Sequence, residues 1–330
     1  MPLLTSQFND LVSNSIIQWE KARKEFPSVR NELYVVVPSA TQTNVFSSLS
    51  SVQTARRRDQ GDDAWKGTLV QGYNKTFTQA EIALQVDVTK QMRMFDKYDE
   101  IMRNMREMGR SGERRVELDL ASLLSFAWST SYTNLDGETV TTTTPDGDAL
   151  ISTSHSANGA SNTFSNEIST THDPIGPDTL EALEEKFNSF IDEADGRRVP
   201  CRPDTIITGE HAPTVHMVRR ILNSELLPNT TNNDTNTFRG QYRHLIVPFI
   251  DMTHSTEARN SAKVEYCFVA KLMDKDYNGF RMEVSQDMKL EPPEQVFESS
   301  TWQFLTTMLY DFGTTKANFI AGTKGDASAV

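Results

Sequence analysis

The stretch Phe95-Asp96-Lys97-Tyr98-Asp99-Glu100-Ile101-Met102-Arg103-Asn104-Met105-Arg106-Glu107-Met108 decides how the rest of the chain is read. Its apolar residues Phe95, Tyr98, Ile101, Met102, Met105 and Met108 recur at steps of three and four, the period that gives a helix one buried stripe. Beyond Gly109 and Gly112, the residues Val116, Leu120, Leu123, Leu124, Ala127 and Trp128 repeat the spacing. The sequence therefore predicts a second helical run that continues the first after a kink. Together the runs make a spine, with solvent or a partner along the other side and no catalytic group on the apolar stripe. A Thr-rich turn follows, and then Asp146-Gly147-Asp148-Ala149-Leu150-Ile151-Ser152-Thr153-Ser154-His155. Taken locally, this is a polar turn whose Asp-Gly pairs supply left-handed backbone.

On the N-terminal side of the spine, residues 1 to about 32 contain an amphipathic helix with Phe8, Leu11, Val12, Ser15, Ile16 and Trp19 on one side, ended by Pro27. It packs on its own domain or reaches a neighbour, and composition does not choose between them. From Leu33-Tyr34-Val35-Val36-Val37 the chain becomes extended, then polar through Arg56-Arg57-Arg58 and Asp62-Asp63. It is extended again where Ile82, Leu84, Val86 and Val88 alternate with polar residues at the period of a half-buried strand. This is an out-and-back ribbon. A two-stranded ribbon is marginal alone in water, so one this long should be ordered by lying across something else. Near its tip, Arg56, Arg57, Arg58, Asp62, Asp63 and Trp65 are candidate inter-subunit contacts, because opposite charges fix register where chains meet. The same arginines also fit a solvated turn, answered by Asp59, Asp62 and Asp63.

On the C-terminal side, Asp178 and Glu181 suggest a capping pair for a helix whose apolar face is Leu180, Leu183, Phe187, Phe190 and Ile191, with Gly196 as its stop. A short strand, Asp204 to Gly209, precedes a helix opened by Pro213. Helix, strand, helix in this order points to an α/β domain. The loop Pro228 to Thr237 is too polar for a core. His244 to Ile250, Val264 to Leu272 and Phe280 to Val284 are strand-like, and Trp302, Phe304, Thr306, Met308 and Tyr310 alternate cleanly before Phe312-Gly313 turns the chain into Ala317 to Ala321. The last five residues are expected to fray.

The combination of Asp136-Gly137, then Asp146-Gly147, then Leu150-Ile151-Ser152-Thr153-Ser154-His155-Ser156-Ala157-Asn158-Gly159 resembles the segment after the spine helix in Mu-like major head subunits, tailed-phage major capsid proteins of the HK97 type. The order of elements extends the resemblance over most of the chain. It implies an α+β HK97-like capsid fold: N-terminal arm 1–32, extended E-loop ribbon 33–93 lying over the adjacent subunit, spine-helix P-domain 94–175, α/β A-domain 176–293, and returning strands with a C-terminal tail 294–330. It also implies a major capsid protein that assembles with itself into pentamers and hexamers of an icosahedral virion shell around double-stranded DNA, in the host cytoplasm. Scaffold, portal and decoration proteins are the further partners implied. Since Met1 begins close to the arm, a separate scaffold is expected. Lys66 and Lys75 lie in the ribbon without a motif that would support covalent cross-linking.

Bulk composition agrees. With 33 basic against 45 acidic side chains the net charge is −12, which disfavours general grip on nucleic acid, although a wall need not grip what it encloses. Two cysteines, Cys201 and Cys267, without paired spacing build neither a disulfide scaffold nor a thiolate zinc site. No window approaches the roughly 20 apolar residues of a membrane span. His211 and His216 are five residues apart, about 140° on a helix, and do not face one ion. Asp146 and Asp148 could open a calcium loop, but its later acidic ligands are missing. Asp311-Phe312-Gly313 matches a kinase signature in letters only, with no glycine-rich loop before it. No cofactor or catalytic residue is expected. Two other functions fit the same pattern less well: an encapsulin-like cargo nanocompartment, and a soluble α/β enzyme using the ribbon as a lid.

Overall fold

The computed structural model describes residues 5–49, 54–67, 69, 71–95, 98–158, 161–168, 173–228, 235–296 and 300–325, without the side chains of 5–12, 93 and 98. The side chains of Phe8, Leu11, Val12 and Tyr98, the residue Gly159, the loop centre 229–234 and the last five residues therefore lie outside it. The chain opens with α1 (Thr5–Glu25), α2 (Arg30–Leu33), β1 (Val35–Pro38), β2 (Thr43–Leu49), β3 (Gln71–Thr78), β4 (Ala80–Val88), α3 (Lys90–Met94) and α4 (Tyr98–Ser125). Two small hairpins follow, β5 (Ser131–Thr133) with β6 (Thr139–Thr141), and β7 (His155–Ser156) with β8 (Thr163–Phe164). Then come α5 (Pro177–Asn188), β9 (Thr205–Thr208), α6 (Ala212–Asn223), β10 (Arg243–Ile246) and the hairpin of β11 (Met252–Thr253) with β12 (Ala258–Arg259). The last elements are β13 (Cys267–Ala270), β14 (Phe280–Leu290), β15 (Glu294–Val296), β16 (Thr301–Thr314) and β17 (Ile320–Thr323). No helix among the described residues is long and apolar enough to cross a membrane.

The spine is one helix of 28 residues, α4, and the predicted break at Gly109 and Gly112 is absent. These glycines serve close approach instead. A Cβ on Gly109 would lie 2.7 Å from the Trp19 carbonyl oxygen, and one on Gly112 would lie 2.5 Å from Cε of Met288. The first lets α1 lie against the spine, burying Trp19 and Ala22. Arg23 then bonds Glu113 at 2.7 Å and the Met288 carbonyl oxygen at 2.8 Å. The terminal helix thus packs on its own domain. Ile101, Met105 and Met108 form the buried stripe, whereas Phe95 falls before the helix and is 75% exposed. From Val116 to Ser125 every residue is buried, so the last ten residues of the spine pass through the core instead of lying on it.

Around the spine, β16 is the central strand of a sheet ordered β1-β14-β16-β15, with β4 on its other edge. Antiparallel pairing places Val86 opposite Phe304, Leu84 opposite Thr306 and Ile82 opposite Met308. Alternation along β16 buries Phe304, Thr306, Met308 and Tyr310, as the sequence predicts. The strand runs on to Thr314, past the expected reversal at Phe312-Gly313, because Phe312, Gly313 and Thr314 keep pairing with Met282, Arg281 and Phe280 of β14; Gly313 is needed instead for close approach, the ring of Phe77 lying 3.1 Å from where its Cβ would stand.

A second sheet, β10-β9-β13-β17, separates two apolar clusters. Adjacent residues point to opposite faces. Ile207, Phe268 and Ala270 join the spine cluster, while Ile206, Cys267 and Val269 join the cluster of Leu180, Leu183, Phe187 and Val218 from α5 and α6. Both faces are covered, which explains the uninterrupted burial of β9 and β13. The chain crosses between sheets late: β14 pairs with β1 and β16, and β17 returns to β13. Two boundaries differ from expectation. Helix α5 is N-capped by Gly176 with no side-chain cap, because Pro177 at the first helical position sets φ for the turn and leaves Asp178 inside it, near the positive end of the helix dipole. The helix also stops at Asn188, not Gly196, yet Phe190 and Ile191 stay buried in the segment beyond.

A Gly→Ala change inside a helix normally stabilises by roughly 1 kcal/mol. Gly109→Ala should do the reverse, losing about 1–3 kcal/mol by pushing against the Trp19 backbone, whereas Gly112→Ala meets only the movable end of Met288 and should be near neutral. Urea unfolding of the two variants checks the order; equal effects would mean that Gly109 is not a packing glycine.

Candidate functional site

The ribbon divides where its own-chain contacts end. Strands β2 and β3 form an antiparallel hairpin from Thr43↔Thr78 to Leu49↔Gln71, and its base is held to the body. Asn44 donates to Glu283 at 3.0 Å, the Thr78 amide donates to Asp311 at 2.7 Å, and Lys75 donates to the Thr143 carbonyl at 2.7 Å. Tyr73 lies 3.1 Å from the Ser156 hydroxyl, and Phe77 is buried against Gly313. The Thr-rich turn and the strand carrying His155 thus form the seat for the hairpin. The ribbon expected to need something else beneath it finds that support, for its basal half, in its own chain.

The tip does not. Residues 54–67 form no strand or helix, and every described side chain there is exposed. The structure brings Arg56 over the Trp65 ring at 4.2 Å, sets Arg57 Nε 3.6 Å from Asp59, and directs Arg58 Nε to the Asp62 carbonyl oxygen. Asp63 is exposed, with no ion pair among the described residues. An exposed ion pair contributes about 0–1 kcal/mol and an exposed cation–π contact about 0.5–1 kcal/mol. Fixing the backbone costs about 1–2 kcal/mol per residue. The local contacts cannot hold this segment in one conformation.

Beneath the hairpin, burial and charge meet. His155 is fully buried and its Nδ1 lies 2.7 Å from Asp146 Oδ2; Asp146 also accepts from Thr144. Burial pushes the Asp146 carboxyl up, but the bonds from His155 and Thr144 outweigh this and hold it below the usual range. Asp146, Asp148 and His155 offer ligand atoms within 4.8 Å of one another. The bond between His155 Nδ1 and Asp146 Oδ2 joins two of these residues directly and acts as a latch closing the turn. Glycines 137 and 147 adopt φ of +82° and +93°, as the Asp-Gly pairs predict. Next to the latch, Glu193 accepts from the Ala317 amide at 2.5 Å, and burial pushes its carboxyl up to about 7. It lines a cleft of about 760 Å³ between β2 and the body, with Phe46, Leu49, Lys275, Arg281 and Lys316.

A second buried carboxylate was not singled out by the sequence. Asp119 on the spine receives Arg115 Nε at 3.1 Å, the Tyr310 hydroxyl at 2.5 Å and His254 Nε2 at 2.5 Å. The signal for it is a charge four residues after an arginine inside an apolar helical run. His211 and His216 do not meet: His211 bonds Thr214 at 3.0 Å before α6, and His216 is exposed. Both cysteines are buried and free.

A family model described as phage capsid protein matches residues 72–324. Among solved structures, one titled Mycobacterium phage Adephagia aligns with a TM-score of 0.50 and 11% identity, covering 89% of this chain and 88% of that one. One titled Gordonia phage Cozz aligns with a TM-score of 0.50 and 10% identity, covering 89% and 85%. At these identities the likeness is one of fold. The procapsid of bacteriophage JBD30 aligns with a TM-score of 0.48 and 14% identity, over 97% of this chain and 76% of that one. No curated protein matches.

The raised pKa of Glu193 has a consequence for stability whose sign can be measured. Its contribution to stability is present below the ordinary glutamate range and is lost as pH rises through about 7, where a charged carboxylate must stay buried. Glu193→Gln keeps the acceptor for Ala317 and removes that loss. Relative to the parent chain it should gain stability on the order of 3 kcal/mol between about pH 5 and about pH 8. Unfolding of the unassembled protein across that range checks this, and a pH-independent difference would rule it out.

Proposed function

The chain belongs to the phage capsid protein family, as a major capsid protein of HK97-like fold that builds the virion shell and not an enzyme, and from that membership we propose that its copies join as the pentamers and hexamers of an icosahedral head enclosing double-stranded DNA. The observation that supports this most directly is the exposed tip at 54–67, carried on a hairpin whose base is tied to its own body. A segment that cannot order itself is retained at low cost if an adjacent copy supplies the missing surface. Head-to-tail contacts of this kind close into rings when the rotation permits.

In this reading, residues 1–32 are the arm, 33–93 the E-loop, 94–175 the P-domain, 176–293 the A-domain and 294–330 the returning strands and tail. Arg56, Arg57, Arg58, Asp62, Asp63 and Trp65 are the contact residues of the E-loop against a neighbour. Their present partners within the tip are weak enough to exchange for acids of another copy. Scaffold, portal and decoration proteins act as assembly partners in the host cytoplasm, and the Mu-like affinity rests on the Asp-Gly and Ser-x-His turn sequence.

Electron microscopy of the protein co-expressed with its scaffold should show closed particles, and the triple change Arg56→Ala, Arg57→Ala, Arg58→Ala should lower their yield several-fold while leaving the unfolding transition of the subunit in place. Discrete monomers in place of particles for the parent chain would overturn the shell reading. Undiminished assembly of the triple variant would assign the arginines to solvent.

A further inference from the structure

The first five turns of the spine expose a row of arginines: Arg103, Arg106, Arg110 and Arg114. At 100° per residue their steps of three, four and four place them within an arc of about 80°, along roughly 16 Å of helix. The opposite side of the same turns carries Ile101, Met105, Met108 and Gly112 into the core, so the row is the outward face. Arg110 is shared between Glu107 at 3.0 Å and Glu25 of α1 at 3.9 Å, and Arg114 meets Glu257 from the β11–β12 turn. Arg103 and Arg106 have no carboxylate partner among the described residues. Arg106 Nε instead reaches the Met102 carbonyl at 3.4 Å, and Asp99 stands one turn before Arg103 without pairing to it.

Two further properties narrow the ligand. All of the cations on this face are arginines, whose planar guanidinium bonds the oxygens of phosphate in pairs and stays charged at any physiological pH. No large apolar side chain of the spine is exposed among its described residues. A protein partner takes hold through a buried apolar or aromatic centre ringed by polar groups, which the described side chains of the spine do not supply. It fits a ligand recognised by charge alone, whatever its sequence. We infer that the Arg103–Arg106–Arg110–Arg114 row is a contact track for the phosphate backbone of nucleic acid, a local exception on a chain whose net charge is −12. The assignment rests on the reading that copies of the chain enclose nucleic acid. It places this side of the spine toward the interior.

The test is fluorescence anisotropy of the unassembled 330-residue chain with a labelled duplex of about 25 base pairs, over salt from about 25 mM to about 200 mM. The parent protein should bind at low salt, and Arg103→Gln with Arg106→Gln should weaken binding at least tenfold there and make the slope of log affinity against log salt shallower by about two. Circular dichroism and thermal unfolding of the variant should match the parent, since neither arginine has a tertiary partner among the described residues. No duplex binding by the parent, identical slopes for parent and variant, or tighter binding of poly-glutamate than of duplex would each overturn the inference, the last in favour of an acidic protein segment. Particle assembly by the same variant is scored separately. Shells that form while duplex binding is lost leave the capsid function intact and uphold the track; absence of shells from the parent chain bears on the function alone.

Discussion

A single desolvated carboxylate joins the parts of this subunit. Asp119 sits where the spine passes through the core, and a buried charge is tolerated only when its oxygens are bonded and its charge is answered. The donors come from three places in the chain: Arg115 one turn earlier on the spine, Tyr310 on the central strand of the large sheet, and His254 in the hairpin of the 250s. These segments are 135 and 191 residues from Asp119 in sequence. Arg115 answers the charge at both oxygens while Tyr310 and His254 each bond one of them, so helix, sheet and turn are fixed to one another by direction as well as by apolar packing. The rings of Tyr132 and His254, 5.0 Å apart, close the site from the side.

From that fixed body the hairpin is held at graded strength. Phe77 is buried and the Lys75 and Thr78 bonds are made to the body, but beyond Gln71 and Leu49 the contacts among the described residues become one exposed ion pair, one side-chain bond to a backbone carbonyl and one cation–π stack. A shell subunit needs this gradient. The base must point the ribbon in a defined direction, and the tip must stay free of its own chain so that another copy can order it. The Asp146–His155 latch and Glu193 lie under the base of the hairpin, which places two buried carboxylates beside the segment that must be aimed.

The distribution of charge follows the same division of labour. The chain is acidic overall, yet its arginines gather at the ribbon tip and along the outer face of the spine. At the tip each arginine is answered within a few residues, by Trp65, Asp59 or the Asp62 backbone. On the spine, Arg103 and Arg106 have no carboxylate partner among the described residues. Cations that find no partner inside one subunit are the natural places for contacts outside it, because an exposed guanidinium gives up little local energy when it changes partners.

Much of this was legible in the chain itself, wherever a local period reports burial. The stripe Ile101, Met105, Met108, the alternation Phe304 to Tyr310, the apolar run at Ile206-Ile207 and the left-handed Asp-Gly turns all follow from residues a few positions apart. What stayed hidden is what depends on residues far apart in sequence. Gly109 and Gly112 read as helix breakers because their lack of a side chain is visible in sequence, while the Trp19 carbonyl and Met288 that require it are not. Gly313 reads as a turn because Phe77, more than two hundred residues earlier, is what fills its place. Asp178 is a local exception, read as a cap although Pro177 beside it starts the helix two residues sooner, with Gly176 as its N-cap. Sequence alone determined which segments would be helix, strand or ribbon, since those are properties of short-range spacing. Only the tertiary structure decided that the spine is unbroken, that the hairpin rests on its own body, and that Asp119 and Glu193 are buried, since close approach and desolvation are properties of what packs against a residue.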